Sequence, residues 1–369
     1  MKVLSIFGTR PEAIKLAPII LEFNKYPEIE QTICVTAQHR GLLDQVLELF
    51  DFHPNYDLNL MKANQSLKDI TVNVLNQLEP VIRKVSPDWI LVQGDTTTVM
   101  ASAMLAYYNR IKIGHVEAGL RTYDIYQPFP EEANRRIAGI VSTLHFAPTE
   151  TAKSYLRNEG VSEKNIVVTG NTVIDAVKIV SATPFDIETS SLAELPREKE
   201  TILITSHRRE NFGEPLKNIC EALVALANKF GDQYQFLFLV HPNPNVRQTV
   251  LPILQQSSHI TLLDPVNYRE MIYLIQNSKI VLTDSGGLQE EGPALKKPVL
   301  VLRDKTERPE GIEAGVARLV GTDKETIIRE VSRLLLDDHA IVEMIKAKNP
   351  YGDGTAAQQI RKAIIEYSE

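Results

Sequence analysis

Two blocks of alternating strand and helix patterns constrain this chain of 369 residues more than any other feature. Short, continuously apolar runs indicate strands, and segments with helical periodicity separate them. The runs of the first block are Val3–Phe7, Thr32–Ala37, Trp89–Gln93, Ile111–Val116 and Leu144–Ala147, and those of the second are Thr201–Thr205, Phe236–Val240, Ile260–Leu263, Ile280–Thr283 and Val299–Leu302. Continuous apolar runs are typical of parallel strands buried on both faces. The sequence therefore predicts an α/β protein with two doubly wound parallel-sheet domains that face each other.

A polar segment separates the two blocks. Residues 181–200 are rich in Ser, Thr, Pro and charged residues and interrupt the apolar pattern, as linkers do. We therefore expect an N-terminal domain over 1–180, a linker over 181–200 and a C-terminal domain over 201–354. The turn Tyr351–Gly354 precedes a last helical segment, 355–369, which we expect to pack back on the first domain.

Composition and charge exclude several classes of function. The net charge of -7 disfavours non-specific nucleic-acid binding, which needs a basic face. The chain lacks an apolar stretch near the ~20 residues that span a bilayer, and its N-terminal apolar run is too short for a signal peptide. Cys34 and Cys220 lie far apart in apolar runs and form no metal-binding pattern. We expect a cytoplasmic protein with no membrane or nucleic-acid partner.

Three carboxylates mark strand ends in the first block. Asp95 follows one predicted strand, Glu117 follows the next, and Glu131 opens a helical segment. Each has a structural explanation, since Asp95 could cap the next helix and a helix dipole favours Glu131 in a first turn. Because the carboxyl ends of parallel strands share one edge of a sheet, we expect the three side chains to converge. Converging carboxylates push one another's pKa values apart, as acid–base pairs need.

Basic residues in the first block suggest an anionic ligand. The signatures G-x-G-x-x-G and G-x-x-x-x-G-K-[ST] are both missing, which removes the main support for NAD-type and P-loop sites. Arg10 and Lys15 instead lie in the first turns of the first helical segment. Cations oppose the helix dipole at that end, so anion binding explains them better than surface solvation does.

The second block carries a second set of ligand-binding candidates at its strand ends. His207 and Arg208 follow the first strand of this block, where they could meet a phosphate. Ser285, Gly286 and Gly287 follow another strand, and the glycines let backbone N–H groups approach a phosphate closely. Glu291, one helical turn later, could accept both hydroxyls of a ribose. Further basic residues, including Arg308, follow the predicted strand Val299–Leu302.

Eight ordered motifs together resemble the non-hydrolysing UDP-N-acetylglucosamine 2-epimerases: FGTRPEAIK, QGDTTT, HVEAGLRT, PFPEEANR, SHRREN, TDSGGLQEE, RDKTERPE and NPYGDG. They run from the first strand to the last helix, so the resemblance covers essentially the whole chain. It implies a glycosyltransferase B-type fold with the active site in the cleft between two domains, and a homodimer. It further implies C2 epimerisation of a UDP-N-acetylhexosamine substrate, from UDP-GlcNAc to UDP-ManNAc, without metal or cofactor, in polysaccharide biosynthesis.

The resemblance assigns roles to individual positions. The positions that match catalytic residues of the family are Asp95, Glu117, Glu131 and His207. Those that match nucleotide-sugar ligands are Arg10, Lys15, Ser285, Gly286, Gly287, Glu291 and Arg308. The uracil is expected near Val266 and Met271. Many relatives carry an aromatic residue at the Met271 position, so a sulfur contact is expected to replace stacking here.

The resemblance also implies a neighbouring site where several bacterial relatives bind a second UDP-GlcNAc as activator. Gln38, Glu132 and His241 match that site, whereas Gly41 and Asn64 replace a Gln and an Arg. We therefore expect activation by substrate to be weakened or differently built.

For the mechanism we hypothesise that a carboxylate removes the C2 proton while UDP departs, leaving 2-acetamidoglucal, to which UDP then re-adds. The family assignment leaves open which carboxylate serves which face of C2. The nearest competing function is that of a hydrolysing epimerase, which releases UDP and free ManNAc. A retaining glycosyltransferase and a non-catalytic nucleotide-sugar sensor are two further candidates.

Overall fold

The computed structural model describes residues 1–37, 40–60 and 65–368, except for the side chain of Arg40. The described chain divides into two compact units, one formed by Met1–Ala176 with Tyr351–Glu369 and the other by Val177–Pro350. The division falls inside a helix, Thr172–Ala182, and so precedes the segment 181–200 that the composition marks as a linker. That segment packs on the second unit, where Leu192 is buried and the Ser191 amide donates to Glu270 at 2.9 Å.

The first unit alternates strands and helices along the chain. Its strands are β1 Lys2–Phe7, β2 Glu30–Val35, β3 Tyr56–Asp57, β4 Trp89–Gln93, β5 Lys112–Val116, β6 Leu144–Ala147 and β7 Ile166–Val168. Its helices are α1 Arg10–Phe23, α2 Arg40–Leu49, α3 Leu67–Val85, α4 Thr97–Tyr108, α5 Glu131–Val141, α6 Glu150–Asn158 and α7 Thr172–Ala182. All pairings are parallel, in the order β3-β2-β1-β4-β5-β6-β7. The order reverses between β1 and β4, and ligands of such sheets bind beyond the strand ends at that point.

The second unit repeats this arrangement. Its strands are β8 Glu200–Thr205, β9 Tyr234–Leu239, β10 Ile260–Leu263, β11 Ser278–Thr283, β12 Val299–Val301 and β13 Ala317–Leu319. Its helices are α8 Glu214–Phe230, α9 Pro244–Leu254, α10 Tyr268–Gln276, α11 Leu288–Ala294, α12 Pro309–Glu313, α13 Lys324–Leu336 and α14 Asp338–Lys346. The parallel sheet has the order β10-β9-β8-β11-β12-β13, which reverses between β8 and β11. The predicted α/β class with two parallel sheets is confirmed.

The local sequence explains where α1 begins. Thr9 caps the helix, its hydroxyl accepts from the Glu12 amide, and the Glu12 side chain accepts from the Thr9 amide in return. Pro11 is the second residue of this helix, which ends at Phe23.

The last helix, α15 Ala356–Ser368, belongs to the first unit. Its first amides, those of Ala356 and Ala357, donate to the Asp175 carboxylate at 3.3 and 3.0 Å. At its other end the indole N–H of Trp89 donates to the Ser368 hydroxyl at 3.0 Å. These contacts join the C-terminal segment to β4 and α7 of this unit. In the described part of the chain, no helix combines the length and apolar character needed to cross a membrane.

Candidate functional site

Asp95 lies immediately after β4, at the point where the strand order of the first sheet reverses. The helix that follows is capped by Thr96, whose hydroxyl accepts from the Val99 amide at 3.3 Å, so Asp95 is not needed as a cap. The Asp95 carboxylate instead forms a hydrogen-bonded ion pair with Arg135. Burial raises the pKa of Asp95, the Arg135 charge opposes that rise, and Glu117 adds to it. An aspartate in this setting binds a proton more readily than one in water.

Glu117 follows β5 and is the most heavily hydrogen-bonded of the three predicted carboxylates. The Lys15 ammonium lies 2.7 Å from both of its oxygens. The side-chain amides of Gln93 and Asn171 also donate to it, the latter at 3.1 Å. Glu117 has a φ of 60°, a left-handed conformation that is rare outside glycine. Glu117 therefore keeps this position at a conformational cost.

Glu131 is the first residue of α5, and its side chain is half-buried. Within the described residues its carboxylate has no hydrogen-bond or ion-pair partner. One helical turn later, Arg135 bonds both Asp95 and Glu132, and the Asn134 amide donates to the backbone carbonyl of Asp95 at 3.0 Å. The start of α5 is thus joined directly to the loop that carries Asp95.

A buried carboxylate links two of the loops at this edge of the sheet. Glu12 accepts from the amides of Gly8 and Thr9 at 2.9 and 2.7 Å and from the Thr96 hydroxyl at 2.6 Å. Burial raises the pKa of Glu12, against the effect of these hydrogen bonds. The loop that leads into Arg10 is therefore tied to the loop after β4. Arg10 itself is half-buried at the start of α1.

Several residues of the first unit's site escaped the sequence reasoning. Arg135, Gln93 and Asn171 all contact the predicted carboxylates, and Glu12 orders the loops around them. Arg135 was recognisable in principle, because it lies four residues after Glu131 and so on the same face of one helix. Asn171 lies 54 residues from Glu117 in sequence, and no local pattern links the two.

In the second unit, a single aspartate organises the turn after β8. Asp284 lies beyond β11 and is fully buried. Its Oδ2 accepts from the Ser206 hydroxyl, from the amides of His207 and Arg208, and from the Asn211 side chain, at distances of 2.8 to 2.9 Å. The strands that precede these two segments, β8 and β11, are the neighbours between which the strand order of the second sheet reverses. Asp284 therefore holds the two predicted phosphate-binding residues, His207 and Arg208, at that point.

His207 is partly exposed and has a second imidazole against it. The ring stacks on that of His241, with centroids 5.1 Å apart and an interplanar angle of 14°. Burial lowers the pKa of His207, as do the charges of His241 and Arg208, whereas Asp284 raises it. The Nδ1 atom of His241 accepts from the Asn243 amide at 3.1 Å.

The two glycines of the Ser285–Gly287 turn differ from other residues here in lacking a side chain, and not in adopting an unusual backbone conformation. Gly287 has φ -63° and ψ -46°, which any residue adopts. A β-carbon on Gly286 would meet an Arg208 guanidinium nitrogen at 3.4 Å, an ordinary contact distance to the end of a flexible side chain. The glycines leave room beside Arg208, as a closely approaching anionic ligand needs.

The other predicted ligands of the second unit lie in three places. Arg308 precedes α12 and donates to Glu290 in a buried ion pair. Glu291 lies in α11 and is buried. Val266 and Met271 are half-buried, the first in the loop before α10 and the second within that helix.

The described residues among those predicted for an activator site are distributed over both units. Glu132 is fully buried and bonds Arg135 and the amides of Thr122 and Tyr123. His241 belongs to the other unit, and Gly41 is exposed. The remaining positions of that prediction, Gln38 and Asn64, lie outside the described residues.

No group of three or more His, Cys, Asp or Glu side chains within the described ranges is arranged to hold a metal ion. The described residues provide one edge with carboxylates in different hydrogen-bonding environments, and a second edge with Arg208, His207 and a glycine turn. The first arrangement suits proton transfer, and the second suits binding of a phosphate.

Comparison with known proteins identifies a matching family and close relatives. Residues 21–365 match the model of the UDP-N-acetylglucosamine 2-epimerase family. The UDP-N-acetylglucosamine 2-epimerase of Escherichia coli O157:H7 is 50% identical over 370 residues, which cover 99% of this chain and 98% of the relative. The Salmonella typhimurium enzyme of that name is 48% identical over 375 residues, which cover 100% of this chain and 99% of the relative.

Solved structures agree with this comparison. The Neisseria meningitidis UDP-GlcNAc 2-epimerase bound to UDP-GlcNAc superposes with a TM-score of 0.88 at 45% identity, covering 99% of this chain and 100% of that one. The Methanocaldococcus jannaschii enzyme in complex with UDP-GlcNAc and UDP has a TM-score of 0.80 at 36% identity, with 100% of each chain covered.

Proposed function

Because this chain belongs to the UDP-N-acetylglucosamine 2-epimerase family, we propose that it inverts C2 of UDP-GlcNAc reversibly and yields UDP-ManNAc without releasing free sugar. The observation that carries the proposal is the pair of carboxylates at the edge of the first sheet. Asp95 has a raised pKa, and Glu131 has no hydrogen-bond or ion-pair partner among the described residues. Inversion of a carbon through loss and return of a proton needs two such groups.

The proposed reaction is an elimination followed by an addition. The hydrogen on C2 of the sugar is not next to a carbonyl, so its removal needs a leaving group on C1. A carboxylate takes the C2 proton, the C1–O bond to UDP breaks, and a C1–C2 double bond forms to give 2-acetamidoglucal. UDP oxygen then re-adds to C1 while a proton is delivered to the opposite face of C2. No oxidant or reductant is consumed.

We assign the proton transfers to Asp95 and Glu131, one for each face of C2. Glu117 already accepts hydrogen bonds from three side chains. One of them, Lys15, donates to both of its carboxylate oxygens. A carboxylate stabilised in this way is a poor base, since protonation would cost these contacts. We therefore propose that Glu117 fixes the position and charge of Lys15.

The second unit supplies the proposed binding groups for UDP. We assign the diphosphate to Arg208, His207 and the Ser285–Gly287 turn, where cations and backbone amides can stabilise the charge that grows as UDP departs. Glu291 is proposed to bind the ribose, and Val266 with Met271 the uracil. The proposal requires one nucleotide sugar to contact these groups and the carboxylates of the first unit.

A time course of UDP-GlcNAc turnover followed by ¹H NMR tests the proposal. The anomeric signals separate UDP-GlcNAc, UDP-ManNAc and free ManNAc. We expect UDP-ManNAc to accumulate to a plateau without free ManNAc, and the same plateau to be reached from UDP-ManNAc. Free ManNAc and UDP in equal amounts would identify a hydrolysing epimerase instead. A variant with Asp95→Asn serves as the control for contaminating activity.

A further inference from the structure

Asp284 has two carboxylate oxygens with different tasks. The four donors described above all bond Oδ2. Its Oδ1 is buried, accepts no hydrogen bond from any described residue, and lies 3.5 Å from Nδ1 of His207. The hydroxyl of Thr205 is the other group near that nitrogen, at 3.4 Å. One oxygen thus holds the backbone of the turn, and the other faces the imidazole.

The chemistry of these atoms restricts the state of the ring. An ionised carboxylate oxygen can only accept a hydrogen bond, and a neutral imidazole has one donor nitrogen and one acceptor nitrogen. A buried acceptor opposite Nδ1 favours the form in which Nδ1 carries the proton. The other nitrogen, Nε2, then remains for a ligand, and the ring is 31% exposed.

We propose that Asp284 is a positioning residue that keeps the proton of His207 on Nδ1 and presents Nε2 to the diphosphate of the substrate. The placement of the proton stands on the geometry of this chain alone, whereas the diphosphate as ligand rests on the proposed function. Asp284 also supplies the one negative charge that faces the ring among the described residues. Arg208 and His241, the other charged or titratable groups against it, both oppose its protonation, as burial does.

An Asp284→Asn variant separates the two tasks of the carboxylate. The amide oxygen can take the place of Oδ2 and keep the four hydrogen bonds of the turn. The amide N–H₂ then faces Nδ1, which must become the acceptor, so the proton moves to Nε2. The variant also removes the negative charge, and the pKa of His207 should fall. We expect kcat for epimerisation to drop by about ten- to a hundredfold, with the KM for UDP-GlcNAc changed far less.

The direct test is ¹H–¹⁵N NMR of histidine-labelled protein, with the His207 signals assigned by their loss in His207→Asn. Wild-type protein should show the proton on Nδ1 in the neutral ring, and Asp284→Asn should show it on Nε2 with a lower pKa. Ser206→Ala is the matched control, because it removes one Oδ2 donor and leaves Nδ1 untouched. It should keep the wild-type proton position and pKa.

Two results would overturn the proposal. One is a wild-type neutral ring with its proton on Nε2, a result that needs no change at Asp284 to detect. The other is the same change of proton position in Ser206→Ala as in Asp284→Asn, since that would reflect general disturbance of the turn. The titration requires no turnover, so a chain that fails to epimerise would refute the proposed function and leave the Asp284–His207 result intact.

Discussion

The buried ion pair between Lys15 and Glu117 should couple these two side chains energetically, and a double-mutant cycle can measure the coupling energy. The ammonium lies 2.7 Å from both carboxylate oxygens, and the two side chains are 16% and 5% exposed. Lys15→Met leaves the carboxylate charged and buried. Glu117→Gln leaves the ammonium without its carboxylate. The double variant leaves neither charge behind.

The expected energies follow from this burial. Removing one partner of a buried ion pair costs about 3–5 kcal/mol. For Lys15→Met we expect about 2–4 kcal/mol, because Gln93 and Asn171 still donate to the carboxylate and water can enter where the lysine was. Glu117→Gln should cost about 1–3 kcal/mol, since an oxygen acceptor remains. The double variant should lose less than the sum, with a coupling energy of about 1–3 kcal/mol.

Urea unfolding followed by tryptophan fluorescence provides the assay. The chain has one tryptophan, Trp89, which lies buried in β4 of the same unit and so reports that unit's unfolding. The exposed pair Arg83–Glu79, with side chains 73% and 42% exposed, is the matched control and should show coupling below about 0.5 kcal/mol. Additive losses for Lys15 and Glu117, within about 0.5 kcal/mol, would refute the reasoning.

Three further predictions concern the first unit. Gly119→Ala should destabilise it by more than about 2 kcal/mol, because φ is 93° and the new β-carbon would lie 2.4 Å from a backbone carbonyl oxygen. The control Gly160→Ala should cost only about 1–2 kcal/mol in the same urea assay, because φ is 88° there but the new β-carbon would lie in open space. His115 is buried with its pKa lowered to about 4, so the unfolded state binds this proton at a higher pH than the folded state does, and His115 should contribute a fall of up to about 3 kcal/mol in unfolding free energy between pH 6.5 and 4. The non-titrating His115→Gln should show a smaller fall, and an equal fall would contradict this origin. Asp95→Asn and Glu131→Gln should each lower kcat by about 10²–10⁴-fold, while the affinity for UDP measured by calorimetry changes less than about threefold. A variant that keeps the wild-type rate would show that its residue takes no part in the proton transfers.

The sequence predicted the longer elements well because their patterns are local. The strands Trp89–Gln93, Leu144–Ala147 and Ile260–Leu263 have the predicted bounds. The strands β3, β7 and β13 were not predicted, because two or three residues are too few to form a recognisable pattern.

The sequence predicted where the candidate site residues stand relative to the strands, but not the contacts that they make. Asp95 and His207 stand directly beyond strand ends, a feature that the sequence displays. The order of strands, and hence the reversal points at which these residues lie, depends on pairing between distant segments. Lys15 and Glu117 are 102 residues apart, so no local sequence pattern predicted their ion pair.

The same non-local pairing governs the second unit. The sequence motif around Ser285 and the two glycines predicted a phosphate-binding turn, yet it suggested no role for the adjacent Asp284. Its four partners lie 73 to 78 residues earlier in the chain. Only the pairing of β8 with β11 brings the two segments together.

Exchange of the C2 hydrogen with solvent tests the central claim most directly. UDP-GlcNAc is incubated with the protein in D₂O, and both nucleotide sugars are isolated and examined by NMR and mass spectrometry. Proton removal and return at C2 predict one deuterium at C2 of UDP-ManNAc and, as the reaction reverses, at C2 of recovered UDP-GlcNAc. Epimerised product that retains its original hydrogen at C2 would contradict the mechanism.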